Sequence, residues 1–62
     1  MRGRLRELRD SKFLSQEDMS QAIGVSLTMW GSWERGVYQP SLEMIYRICL
    51  TFNANPSYLL GF

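Results

Sequence analysis

The sequence predicts an all-α fold of five short helices. Apolar residues recur at intervals of three and four along the chain, and no segment alternates apolar and polar residues as a strand does. Serine, asparagine and glycine separate the periodic segments, where helices commonly begin and end. With 62 residues, 45% of them hydrophobic, the chain has enough apolar material for one core and no room for a second. We therefore expect residues 1–62 to form one compact five-helix domain.

The first helix is predicted from the spacing of Leu5 and Leu8, and Phe13 and Leu14 close this segment. Residues 1–12 hold five of the seven basic residues but only two of the six acidic ones. Such a segment could lie along phosphates. A solvated amphipathic helix with ordinary ion pairs explains the same pattern. Charge alone leaves both interpretations open.

The second helix begins with the capping pattern Ser15-x-x-Asp18, in which each side chain accepts a hydrogen bond from the other's backbone N–H. Gly24 ends the helix because glycine readily adopts the left-handed conformation found there. These two signals place the second helix at about residues 16–23.

The third helix begins after Ser26, another capping residue, and ends before Gly36, which places it at about residues 27–35. Trp30 and Trp33 lie three residues apart and are predicted to face the core. Only Gly24, Val25 and Ser26 separate the second helix from the third. A helix pair joined by a short glycine-containing turn has the shape of a helix-turn-helix.

The fourth helix follows Ser41 and has the strongest apolar periodicity in the chain. Cys49 lies on its apolar face and is interpreted as a small buried hydrophobe rather than a nucleophile. Asn55 followed by Pro56 predicts a final short helix that ends near Leu60. The inward positions expected in the fourth helix are Leu42, Ile45, Ile48, Cys49 and Phe52.

The ordered set of these segments resembles the lambda-repressor-like DNA-binding domains, also called the Cro/repressor or XRE type. The resemblance covers roughly residues 3–60. The matching segments are Leu5-Arg6-Glu7-Leu8-Arg9, Leu14-Ser15-Gln16-Glu17, Ala22-Ile23-Gly24-Val25-Ser26, Trp33-Glu34-Arg35-Gly36, Pro40-Ser41-Leu42 and Tyr58-Leu59-Leu60.

This resemblance implies a five-helix fold whose third helix enters the DNA major groove. By position, it implies three kinds of site residue. The base-contacting residues are Leu27, Thr28, Met29 and Ser32. The phosphate-contacting residues are Gln16, Ser26 and Arg35. Arg9 and Glu34 form a structural ion pair between the first and third helices.

Two features depart from the family pattern. The groove face, including Gly31, offers no side chain that could make two hydrogen bonds to guanine or adenine, so specificity would depend on apolar contacts, bound water or DNA shape. Trp30 stands where a smaller aliphatic residue is usual. It either belongs to the core or is partly exposed to DNA or a protein partner. Tyr38 and Gln39 could touch either the DNA backbone or a second subunit.

Several functions are excluded by composition. The chain has no histidine to act as general base or metal ligand, and a lone cysteine cannot form a zinc site or an intrachain disulfide. It has no phosphate-binding glycine loop, signal peptide or membrane span. We therefore expect no catalysis, metal, cofactor or small-molecule ligand, and a cytoplasmic, nucleoid-associated protein.

The sequence thus predicts a sequence-specific regulator that binds double-stranded DNA. The expected mode is a repressor that occupies a pseudo-palindromic operator as a homodimer. The expected dimer surfaces are the loop 37–39 and the C-terminal residues Tyr58, Leu59, Leu60 and Phe62. The alternative is a protein-interaction module on the same fold, such as an antitoxin-like or regulator-binding domain, with weak DNA binding.

Overall fold

Helices account for most of the structure, a computed structural model that describes residues 2–61, with the side chain of Arg2 excepted. No strand occurs in this part of the chain, so the all-α prediction is confirmed. The five helices are α1 (Arg2–Ser11), α2 (Gln16–Ile23), α3 (Leu27–Arg35), α4 (Leu42–Phe52) and α5 (Pro56–Leu60).

Local hydrogen bonds determine where α2 and α3 begin. The Ser15 hydroxyl accepts from the Asp18 backbone N–H at 3.0 Å, and the Asp18 carboxylate accepts from the Ser15 N–H at 3.0 Å. These two hydrogen bonds lower the pKa of Asp18. Gly24 ends α2 with φ at +87°, and the Ser26 hydroxyl then caps α3 by accepting from the Met29 N–H at 3.0 Å. The short turn between α2 and α3 is therefore bounded by a helix cap at each end.

The core is a single cluster to which all five helices contribute. Trp30 is fully buried and packs edge-on against Trp33, with 5.7 Å between their ring centroids. This confirms the core interpretation of Trp30. Cys49 is buried as predicted, and burial raises the pKa of its thiol. The buried apolar residues are Leu5, Leu8, Met19, Ile23, Trp30, Trp33, Ile45, Ile48, Cys49 and Leu59.

Polar contacts join the elements at the ends of the chain. The Tyr58 hydroxyl in α5 donates to a Glu7 carboxylate oxygen in α1 at 2.5 Å, and the Arg4 guanidinium lies 4.8 Å from the Tyr58 ring centroid. The hydrogen bond to Glu7 is the main cause that raises the pKa of Tyr58. Arg47 in α4 donates to the Ile23 carbonyl at the end of α2 at 3.3 Å. These contacts join α5 to α1 and α4 to α2.

Phe13 adopts an unfavourable backbone conformation without compensating burial. Its φ is +57°, in the left-handed region, and the residue is 95% exposed. A left-handed conformation costs a residue with a Cβ about 1–2 kcal/mol, whereas glycine adopts it freely. We expect Phe13→Gly to raise the free energy of unfolding by about 0.5–1 kcal/mol, because relief of this cost is partly offset by the entropy that glycine gains in the unfolded chain.

Urea denaturation followed by circular dichroism measures this change. Phe13→Ala is the matched control, since it removes the ring but keeps the Cβ, and we expect no comparable gain from it. A Phe13→Gly variant less stable than the native chain would show instead that the ring contributes contacts to the fold.

Candidate nucleic-acid interface

One buried carboxylate positions α3 against the first two helices. Glu34 accepts two hydrogen bonds from Arg9 in α1, at 2.8 and 3.2 Å, so the residues predicted as an ion pair are joined directly. It also accepts one from the Gln16 amide in α2 at 3.1 Å and one from the Trp30 indole at 2.5 Å. We call Arg9, Gln16, Trp30 and Glu34 the Glu34 network.

The Glu34 network is shielded from solvent. The Arg9 and Glu34 side chains are only 16% and 6% exposed. Burial raises the pKa of Glu34, but the hydrogen bonds from Arg9, Trp30 and Gln16 outweigh it and hold the pKa below its ordinary value. Glu34 is therefore charged at neutral pH, and its negative charge is balanced by Arg9.

The N-terminal turn of α3 is exposed, in contrast to the rest of the helix. Leu27, Thr28 and Met29 all face solvent. The one acidic residue of α3, Glu34, lies in its last turn. The first turn, next to the exposed Ser26 cap, therefore carries no carboxylate that would repel an anion from the backbone N–H groups there. These three side chains form what we call the exposed α3 turn.

Two predictions about α3 are wrong. Ser32 was expected on the groove face, but it is only 5% exposed and its hydroxyl donates to the Met29 carbonyl at 2.7 Å. Gly31 is also buried, because Arg35 and Gln16 cover it. A Cβ built on Gly31 would lie 3.0 Å from Arg35 Nη1. The second half of the helix is therefore covered on the face where the first half is open.

The predicted phosphate-contacting residues differ in their surroundings. Ser26 and Arg35 are exposed, whereas Gln16 is half-buried and its amide donates to Glu34. The first turn of α2 carries Glu17 and Asp18, both acidic. An anion is therefore better accommodated at the start of α3 than at the start of α2. Sequence reasoning missed the bond between Gln16 and Glu34, since 18 positions separate them in the chain.

The predicted dimer surfaces are only partly available. Tyr38 in the loop 37–39 is exposed, but Leu59 is fully buried in the core, so its assignment to a surface is wrong. Phe62 lies outside the described residues. Leu42, expected to face inward, is instead exposed, as are Tyr46 and Leu50. Their spacing of four residues was the signal that could have identified a second apolar face on α4.

Within residues 2–61, no helix is both long and apolar enough to cross a membrane.

Comparison with known proteins identifies the family of the chain. Residues 3–61 match the sequence model of a family described as "Helix-turn-helix domain". Two similar proteins from Archaeoglobus fulgidus are each named "Uncharacterized HTH-type transcriptional regulator". They are 39% and 37% identical over 54 residues, which is 87% of this chain and 77% and 76% of those proteins. "Uncharacterized HTH-type transcriptional regulator YgzD" of Bacillus subtilis (strain 168) is 34% identical over 53 residues, 86% of this chain and 80% of that protein.

No solved structure matches the chain. The match over nearly its whole length shows that the chain belongs to the helix-turn-helix domain family.

Proposed function

We propose that this protein is a sequence-specific transcriptional regulator that binds double-stranded DNA with the exposed α3 turn in the major groove. One observation carries the proposal. The first turn of α3 presents Leu27, Thr28 and Met29 to solvent, while the Glu34 network holds the opposite end of the helix against α1 and α2. Helix-turn-helix proteins place the N-terminal residues of the recognition helix against base edges, and this is the end of α3 that is open here. The names of the relatives support the same function.

The chemistry of the exposed α3 turn suits apolar recognition of thymine. The Thr28 hydroxyl could bond a base edge or its methyl group could touch a thymine methyl, whereas Leu27 and Met29 offer apolar contact alone. The burial of Ser32 removes one hydroxyl from the predicted set. Sequence-dependent DNA shape then supplies the remaining discrimination.

Phosphate contacts position such a helix on the duplex without reading its sequence. Ser26 and the N-terminal N–H groups of α3 favour a phosphate at one end, and the exposed Arg35 suits a second at the other. Gln16 joins them only if its amide contacts phosphate while keeping the bond to Glu34, or exchanges one for the other.

So small a reading surface requires two copies for specificity. We therefore propose a homodimer on a pseudo-palindromic operator, with half-sites one helical turn apart. We further propose that the protein is cytoplasmic and nucleoid-associated. By occupying its operator it would repress transcription. Selection of bound duplexes from a randomised pool tests this: enrichment of an inverted repeat supports dimeric readout, and no enrichment by the folded protein contradicts it.

Thr28→Ala is expected to weaken binding to the selected duplex by about 1–3 kcal/mol, because the hydroxyl and methyl of a base-reading residue are lost. Fluorescence anisotropy with a labelled duplex measures the change. Thr51→Ala, at an exposed position on α4, is the matched control and should leave the affinity unchanged. Equal affinities for Thr28→Ala and the native chain would remove Thr28 from the reading surface.

The alternative, a protein-interaction module, is favoured by one observation: the exposed α3 turn contains two apolar residues and no charged one. The salt dependence of DNA affinity distinguishes the two functions. A DNA-binding protein releases counterions from phosphates and loses affinity steeply as salt rises, whereas an interaction module shows weak DNA binding or none.

A further inference from the structure

Helix α4 carries a second apolar face that nothing in the described chain covers. Leu42, Tyr46 and Leu50 repeat every four residues, and Leu50 is 85% exposed. At about 100° per residue they lie within a band of about 80°, beside the face that Ile45 and Ile48 turn to the core. Exposed apolar side chains in one continuous band mark an interaction site more often than scattered ones do. We call these three residues the α4 band.

Two opposite charges border the α4 band. Glu43 and Arg47 lie on its side away from the core, and both side chains are well exposed. Within the helix they approach only to 3.9 Å, a weak contact between solvated groups. Arg47 also donates to the Ile23 carbonyl, but its side chain is 47% exposed and that of Glu43 is 81% exposed, so both charges can still be approached by a partner. Their order along the helix specifies what partner fits.

We propose that the α4 band is the interface with a second copy of this chain, in which the two α4 helices pack antiparallel about a two-fold axis at Tyr46. This operation sets Leu42 of each copy opposite Leu50 of the other. It also brings Glu43 of each copy beside Arg47 of the other, which makes two reciprocal ion pairs. A two-fold interface requires such a self-complementary surface. The net charge of +1 leaves little repulsion between copies.

This inference rests on the proposed dimeric regulator and identifies the surface that joins its subunits. It replaces the predicted C-terminal surface, whose Leu59 is buried in the core.

Sedimentation equilibrium up to millimolar protein concentration tests the inference. The native chain is expected to dimerise, and Leu50→Glu to raise the dimer dissociation constant more than about tenfold, because a charge replaces an apolar contact. Thr51→Glu is the matched control: it adds the same charge at the next exposed position, away from the α4 band, and should leave dimerisation unchanged. Circular dichroism verifies that both variants are folded.

Charge reversal tests the orientation. An E43R chain carries two cations at the border of the band and an R47E chain carries two anions. Each alone is expected to dimerise poorly, whereas an equimolar mixture should form a heterodimer. R47E also loses the bond to the Ile23 carbonyl, so its thermal melting is measured beside the mixing experiment. A mixture of folded chains that does not associate overturns the antiparallel arrangement.

A native chain that stays monomeric, or a Leu50→Glu chain that dimerises like the native one, overturns the α4 interface. Duplex selection with the native chain reports separately on DNA binding. Suppose that an inverted repeat is enriched and that the Leu50→Glu chain dimerises like the native one. The proposed function as a dimeric DNA-binding regulator would then hold, and the dimer interface would lie elsewhere than the α4 band.

Discussion

Glu34→Ala is expected to unfold most of the protein at physiological temperature. The substitution removes the acceptor of four hydrogen bonds and leaves the Arg9 guanidinium and the Trp30 indole N–H inside the fold without their partner. Removing one member of a buried ion pair typically costs about 3–5 kcal/mol. A single core in a domain this small rarely supplies more than about 3–5 kcal/mol in total.

Thermal and urea denaturation followed by circular dichroism measure the loss. Glu34→Gln keeps the shape and one acceptor but removes the charge, and we expect it to fall between Glu34→Ala and the native chain. Glu17→Ala, an exposed acidic residue of α2, is the control and should change stability by less than about 1 kcal/mol. If Glu34→Ala melts within a few degrees of the native chain, the Glu34 network does not determine stability.

The pH dependence of stability provides an independent check. The folded-state pKa of Glu34 lies below its ordinary value of 4.5, so folding favours the ionised carboxylate. Its contribution is therefore complete above the unfolded-state pKa and is lost as the pH falls through the lower folded-state pKa. Glu34→Gln should lack this part of the acid destabilisation. Asp18, whose pKa is also lowered, will still contribute in the variant.

The fold could be predicted from sequence because its signals are local. Ser15, Gly24 and Ser26 act on the backbone within a few residues of themselves, so the ends of α2 and α3 could be inferred from the residues that cap them. The five helices themselves were predicted from such signals, and the resemblance to the lambda-repressor-like family added the expectation that α3 is the recognition helix. The family match confirms that resemblance.

The details of the site could not be predicted as well, because burial on a short helix depends on which helices pack against it. The resemblance placed Ser32 on the groove face, yet Gln16 and Arg35 reach over the neighbouring Gly31, and Ser32 itself is buried. Leu42 shows the converse: its position suited an inward face, but its side chain is 64% exposed. Spacing indicates which residues share a face, and tertiary contacts decide whether that face is covered.

Trp30→Ala is expected to cost about 3–5 kcal/mol, because it leaves a cavity where a fully buried indole lay. The edge-on contact with Trp33 is lost as well. Trp30→Phe should cost less, since the ring volume is largely kept and the main loss is the hydrogen bond from the indole to Glu34. Urea denaturation of both variants measures these differences.

A comparison with the adjacent residue separates stability from recognition. Met29 precedes Trp30 in α3 but is 44% exposed, so Met29→Ala should change stability by less than about 1 kcal/mol while weakening binding to the selected duplex. Trp30→Phe should do the reverse at temperatures where it remains folded. If both variants lose stability equally, the exposed α3 turn belongs to the core after all.

A double-mutant cycle then tests whether Trp30 acts through the Glu34 network. Trp30→Phe removes the indole donor and Glu34→Gln removes the charge of its acceptor, so both variants weaken the same interaction and their combined cost should be smaller than the sum of the separate costs. Strict additivity would mean that Trp30 contributes through apolar packing alone. In that case Arg9 and Gln16 would hold α3 in place without the indole, and Trp30 would serve only to fill the core.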